Sequence, residues 1–204
     1  FQQISEPDIV LQLLSEWGVE PEKRYDAAAY KKRKYRVQYA ETDFAFLSRV
    51  LEDAGISFYF EQHGEETKLT LADAPHTGDK RALPLSFVDD TSAAHRSAGE
   101  FATNVRMGQR VRPGKVTLRD HDYRRAPSYK LMTSAAGGLG IEGKLEQFHY
   151  TPGAFLFGSD QGEATPAADD KGKSRTNEKE GALLAQKRLD AKRGSARVCS
   201  FETN

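Results

Sequence analysis

The sequence predicts an α+β fold in which a helix and a β-α-β-β segment come first and a β-rich portion with one inserted helix follows. Three observations carry this. The hydrophobic period changes twice between residues 35 and 73, from two to near 3.6 and back to two. The breaker cluster Ala74-Pro75-His76-Thr77-Gly78 then interrupts the chain, and short alternating runs with close turns follow it. A helical period returns over residues 180–192, ahead of a last alternating run at 196–201.

In chain order, Ser5 is a good helix cap, Pro7 is tolerated in a first turn, and Asp8 suits the positive end of the dipole. Ile9, Val10, Leu13, Leu14 and Trp17 fall on one stripe, so a helix over about residues 6–17 is expected to pack against the second helix, with Gly18 ending it. The run Lys31-Lys32-Arg33-Lys34 reads as a solvated lead-in to a strand rather than a phosphate site. In that strand Tyr35, Val37 and Tyr39 share the face expected to be buried, and Arg36 and Gln38 the wet one. Thr42 caps the next helix, Asp43 occupies its first turn, and Gly55 closes it. Phe44, Leu47, Val50, Leu51 and Ala54 form its apolar stripe, with Phe46 off it. Residues 56–60 resume as a strand, answered by 67–71.

The string Val37-Gln38-Tyr39-Ala40-Glu41-Thr42-Asp43-Phe44, then Phe46-Leu47-Ser48-Arg49 and Glu52-Asp53-Ala54-Gly55-Ile56, closely resembles the hub region of VgrG proteins. Those are the spike proteins of type VI secretion machines, similar to the hubs of contractile phage tails. The opening residues 4–10, the segment 115–123, and the segment 145–150 with Pro152-Gly153 are similar to further parts of that region.

Beyond residue 78, strands are expected at about 83–87, 101–111, 115–120, 129–133 and 144–150, followed by the helix at 180–192 and the strand at 196–201. Short strands with close turns suggest a barrel or curled sheet, and the resemblance implies the second of two hub barrels, incomplete in this chain. The reading places a hub subdomain at 1–76 and that barrel at 77–204. Gly158 to Lys173 is polar and breaker-rich, and is expected to be a mobile loop within it. The chain starts at Phe1 without a methionine and stops directly after an alternating run, so an excerpt of a longer protein is expected.

Lys+Arg and Asp+Glu are each 30, a balance that argues against a nucleic-acid partner. No run is long and apolar enough to span a bilayer and no signal peptide is evident, so a soluble chain without a stable membrane anchor is expected. The best candidate for chemistry is Asp120-His121-Asp122, but in a strand only the two carboxylates share a face, and His121 points away. It reads as a strand end leaving its sheet. His63 reads as a hairpin-tip residue; His76 and His95 lack spaced partners for zinc. Ser48 and Ser57 have no nucleophile elbow around them, and Gly137-Gly138-Leu139-Gly140 reads as a flexible turn rather than a phosphate loop. Cys199, the single cysteine, is expected to be a small packed side chain. No catalytic, cofactor-binding or metal-binding residue is therefore assigned, and no enzyme is expected.

The resemblance implies a structural hub, trimeric in the whole protein, that receives a hexameric inner tube protein and adapts threefold to sixfold symmetry. It further implies baseplate components as partners, effectors or a tip protein beyond the region covered here, assembly in the bacterial cytoplasm, and release by the contractile machine. On the same reading, these 204 residues alone are expected to form at most a weak oligomer. A phage-tail or other injection-particle hub is the near alternative, and a hub-attached hydrolase the remote one.

Overall fold

The computed structural model describes residues 1–78, 80, 83–89, 99–157 and 176–204. The expected loop at 158–173 and His95 lie outside these residues. The described residues form three α-helices and several small sheets, a mixed α+β arrangement in which no sheet closes into a barrel.

A short strand β1 (Gln2–Ile4) leads into α1 (Glu6–Glu16), capped by the Ser5 hydroxyl, which accepts from the Asp8 amide at 3.3 Å. After β2 (Glu22–Arg24) and a 3-10 turn at Ala27–Ala29, β3 (Arg33–Tyr35) pairs antiparallel with β1. Then α2 (Asp43–Ala54) begins at Thr42, whose hydroxyl accepts from the Ala45 amide at 3.2 Å, and ends at Gly55 with φ 73°. The hairpin β4 (Ser57–His63) and β5 (Glu66–Ala72) follows, and β2 joins it on the far side of β5, parallel. The first hydrophobic cluster lies among these elements: Ile9, Val10 and Leu13 of α1 meet Phe46, Val50 and Leu51 of α2, with Leu71 from β5 beneath.

Several sequence expectations change here. The strand ends at Tyr35, and Tyr35, Val37 and Tyr39 are exposed, while Arg33 and Lys34 from the supposedly solvated run are buried. The reason is pairing: β3 is held by β1 and an isolated bridge from Arg33 to Phe157, which draws the basic residues inward. Phe46 is fully buried and stacks on Phe1 at 5.6 Å between centroids, whereas Phe44 is 67% exposed. The buried face of α2 thus follows 46, 50 and 54, rotated from the predicted stripe toward α1 and the chain start. Trp17 leaves the α1 stripe, and its Nε1 donates to Asp43 Oδ2 at 3.0 Å.

A 3-10 turn at Pro75–Thr77 follows β5. Next come β6 (Ser86–Phe87), β7 (Phe101–Gln109), β8 (Lys115–Asp120) and β9 (Leu131–Ala136). A 3-10 turn at Gly140–Lys144 precedes β10 (Glu146–Tyr150); after α3 (Glu178–Arg193) the last strand is β11 (Arg197–Thr203). One sheet has the order β10-β8-β9 and another β11-β7-β6. The inserted helix α3 lies against β8 and β9, and Leu184, Ala185 and Leu189 enter a second cluster with Val116, Leu118, Leu131 and Phe155. Leu183, expected on that apolar side, is exposed. Residues 137–140 form a close-packed turn rather than a loose one: a Cβ on Gly138 would stand 2.6 Å from Gly114 Cα, so only glycine lets the two backbones meet.

Candidate functional site

The reactive groups separate or are occupied by structural bonds. Asp120 and Asp122 are both buried and His121 is exposed, the division expected for a strand, although β8 ends at Asp120 and the next two residues lie beyond it. Asp120 Oδ1 accepts from the His121 amide at 2.8 Å, and Asp122 Oδ1 accepts from the amide and Nε of Arg124, each at 3.0 Å. Both carboxylates thus fasten the chain where it leaves β8. Ser57 and His76 are exposed, and Ser48 is half-buried on α2. Cys199, expected to be packed, is exposed on β11, a strand that nothing covers on either face among the described residues.

Sequence reasoning missed one cluster. Glu22, Glu61 and His63 bring possible ligand atoms within 4.8 Å of one another, because β2 and β4 flank β5. Arg24 already engages both carboxylates: its Nε lies 2.8 Å from Glu22 and its Nη2 2.5 Å from Glu61, and these partners hold its proton still more firmly than usual. The group is a salt-bridge fork at a sheet surface. Parallel pairing of β2 with β5 was the missing signal, and three residues of β2 give no alternation from which to read it.

The larger feature is a surface. In the ribbon of β7 and β11, every residue from Asn104 to Gln109 and from Arg197 to Thr203 is exposed. Cys199 stands opposite Met107 and Arg197 opposite Gln109, so alternation places Val105, Met107, Cys199 and Phe201 on one face. Met107 is 70% exposed and Phe201 49%, an apolar face that no other element covers among the described residues. A register shift between Ser200 and Glu202, with Asn104 at φ 51°, bends the ribbon, and Asn104 Nδ2 donates to Glu202 Oε1 at 2.7 Å across it. The other face carries Arg106, Val198 and Ser200. A second exposed apolar set lies near the start: Phe44 meets Phe58 edge-on at 6.3 Å, and Phe60 is 66% exposed. Exposed apolar surface of this kind offers no convergent acid, base and nucleophile among the described residues.

Comparison with known proteins agrees in kind. A model of the phage tail baseplate hub (GPD) family matches residues 1–204. Type VI secretion system spike protein VgrG1a of Pseudomonas aeruginosa is 32% identical over 127 residues, covering 61% of this chain. Spike protein VgrG1c of the same organism is 28% identical over 162 residues, or 78% of this chain. The chain spans only 19% and 22% of those two relatives. Among solved structures, the 43 kDa tail protein of prophage MuSo2 from Shewanella oneidensis aligns over 98% of this chain and 50% of its own, with a TM-score of 0.52. At 14% identity that likeness speaks to the fold alone.

Proposed function

Since the chain belongs to the phage tail baseplate hub (GPD) family, we propose that it is the structural hub portion of a type VI secretion spike. The observation that carries this reading is the ribbon of β7 and β11, which among the described residues has an exposed, partly apolar face and an open edge at β11. In the assembled hub that ribbon is covered by neighbouring protein. The role is contact, with no reaction.

On this reading the whole protein is a homotrimer that adapts threefold symmetry to a hexameric inner tube. The region 1–76 is one subdomain, and the sheets of 77–204 are parts of a hub barrel that is completed outside this chain. Baseplate components adjoin it, and effectors or a tip protein lie further along the spike. Assembly takes place in the cytoplasm and the contractile machine carries the spike out. Among the described residues no helix is long and apolar enough to cross a membrane.

The test is light scattering on the longest natural polypeptide that carries these residues, alone and with Met107→Asp and Phe201→Asp together. A trimer mass that falls toward the monomer in the double variant, with folding retained, supports the reading. A monomer throughout, or a trimer indifferent to both changes, overturns the role of the ribbon.

A further inference from the structure

The two hydrophobic clusters share no residue, and a layer of charge runs between them. Asp53, on the last turn of α2, accepts from Arg36 Nη2 at 3.0 Å and from Arg188 Nη2 of α3 at 3.1 Å. Glu6 accepts from Arg33 Nε at 2.6 Å and from Arg36 Nη2 at 2.9 Å. Arg33 crosses to the far side, where its guanidinium lies 4.2 Å from the centre of the Phe157 ring and donates to the Ala154 carbonyl at 3.5 Å. From the opposite direction, Lys187 Nζ donates to the Ala54 carbonyl at 2.5 Å and lies 4.9 Å from the Tyr30 ring centre. Burial draws the Lys187 ammonium and the Arg33 guanidinium below their ordinary pKa values, with Glu6 opposing in both cases. A polar cavity of about 30 Å³ remains among Glu6, Asp53, Arg33, Glu180 and Lys187.

Such a joint differs in kind from the clusters it separates. The attraction within a buried ion pair is largely offset by the cost of desolvating it, whereas removing one member strands the other. Apolar burial depends on no single charge, whereas the seam turns on Glu6 and Asp53, which among the described residues hold Arg33, Arg36 and Arg188, with Lys31, Glu180 and Lys187 around the same cavity. We propose that the seam is a latch: α3 with the sheet it covers separates from α1 and α2 as a unit, breaking the bridge between Arg33 and Phe157 but unfolding neither hydrophobic cluster, and Asp53 is the side chain whose charge ties α2 to α3. Openings of this sub-global kind arise where few apolar contacts cross a boundary. The latch follows from this chain's own geometry and stands whether or not the hub reading holds.

The chain has one tryptophan and one cysteine, and both are exposed: Trp17 follows α1 and Cys199 lies on β11. The segment leading into β11 is tied to the end of α3, the Ala196 amide donating to the Arg193 carbonyl at 2.8 Å, so at dilutions where the 204-residue chain is monomeric an acceptor dye on Cys199 reports separation by energy transfer from Trp17. Asp53→Asn removes the charge that keeps Arg36 and Arg188 together, and the open population is expected to rise by roughly tenfold or more. Transfer then changes while the amides of Val50, Leu51, Val116 and Leu118 keep their hydrogen-exchange protection. Lys187→Gln, a milder change, gives a smaller shift of the same sign and covers the case in which the first variant fails to fold. Altered transfer accompanied by lost protection in either cluster means unfolding and overturns the latch, as does unchanged transfer in both variants.

Discussion

The two sheets of the β-rich portion have three strands each and opposite fates. In β10-β8-β9 the helix α3 covers one face, and Val116, Thr117, Leu118 and Leu131 are buried. In β11-β7-β6 full burial ends after Ala102, Thr103 is half-buried, and β7 from Asn104 onward and all of β11 are exposed. Both use β-branched and apolar residues at alternating positions, so strand chemistry does not distinguish them. A covering element does. The first sheet is covered where α3 crosses β8 and β9, although β10 stays mostly exposed, and the ribbon of the second has no cover among the described residues.

The sharpest test of this contrast sets Leu118→Asp against Met107→Asp. Burying a leucine contributes about 1.5–3 kcal/mol and a buried carboxylate adds a desolvation cost, so the first change approaches the roughly 5–15 kcal/mol stability of a domain. In the 204-residue chain at dilutions where it is monomeric, Met107→Asp is expected to stay within about 0.5 kcal/mol. Thermal melts decide it, and equal losses would erase the distinction between the sheets.

The same distinction holds within one helix. Phe46→Ala should cost about 3–5 kcal/mol in a denaturant titration, against about 1 kcal/mol or less for Phe44→Ala, which loses an exposed edge contact. Comparable values would mean that α2 presents a different face to α1.

Two glycines refine the contrast at smaller scale. A Cβ on Gly181 of α3 would overlap the ring of Phe155, and overpacking of about 1–3 kcal/mol outweighs the roughly 1 kcal/mol that alanine gains in a helix. Gly181→Ala should therefore lower the melting point. On the ribbon the nearest atom to such a Cβ at Gly108 is the Val198 carbonyl oxygen at 3.8 Å, an ordinary contact, and Gly108→Ala should leave the melt unchanged.

The smallest effect concerns the far end of α3. Glu142 accepts from the Arg112 amide at 3.0 Å and from Arg193 Nη2 at 2.8 Å, and these partners hold its carboxyl below the usual glutamate range. A depressed folded-state value gives stability that is complete above the unfolded value and lost as pH falls through the folded one. The melting difference between the natural chain and Glu142→Gln should thus shrink on acidification from about pH 7 to about pH 3. A difference that grows would reverse the sign.

Punctuation was the legible part of the sequence. Thr42 and Gly55 bound α2 where expected, β8 runs from Lys115 to Asp120 as expected, and the β4–β5 hairpin is only longer than its reading. Such signals are local: a hydroxyl at a cap, a left-handed glycine, an alternation. What stayed illegible depends on partners distant in the chain. Phe1 selects Phe46 over Phe44, and Phe157 and Glu6 pull Arg33 inward against the habit of its charge run. The apolar face of the ribbon was visible as alternation, but its exposure was not, since alternation states that two faces differ and not which one is covered.

The placement of α3 has a kinetic consequence. The first cluster draws on α1, α2 and β5, all complete by Ala72, whereas the second needs Leu184 and Leu189 to return to Val116 and Leu118. Contacts so far apart in sequence form slowly, and synthesis delivers the early residues first. The α1–α2 half is therefore expected to fold while the rest is still being made. Val116, Leu118 and Leu131 lack the cover of α3 until the ribosome has released it, and through that interval the nascent chain is expected to be most exposed to aggregation.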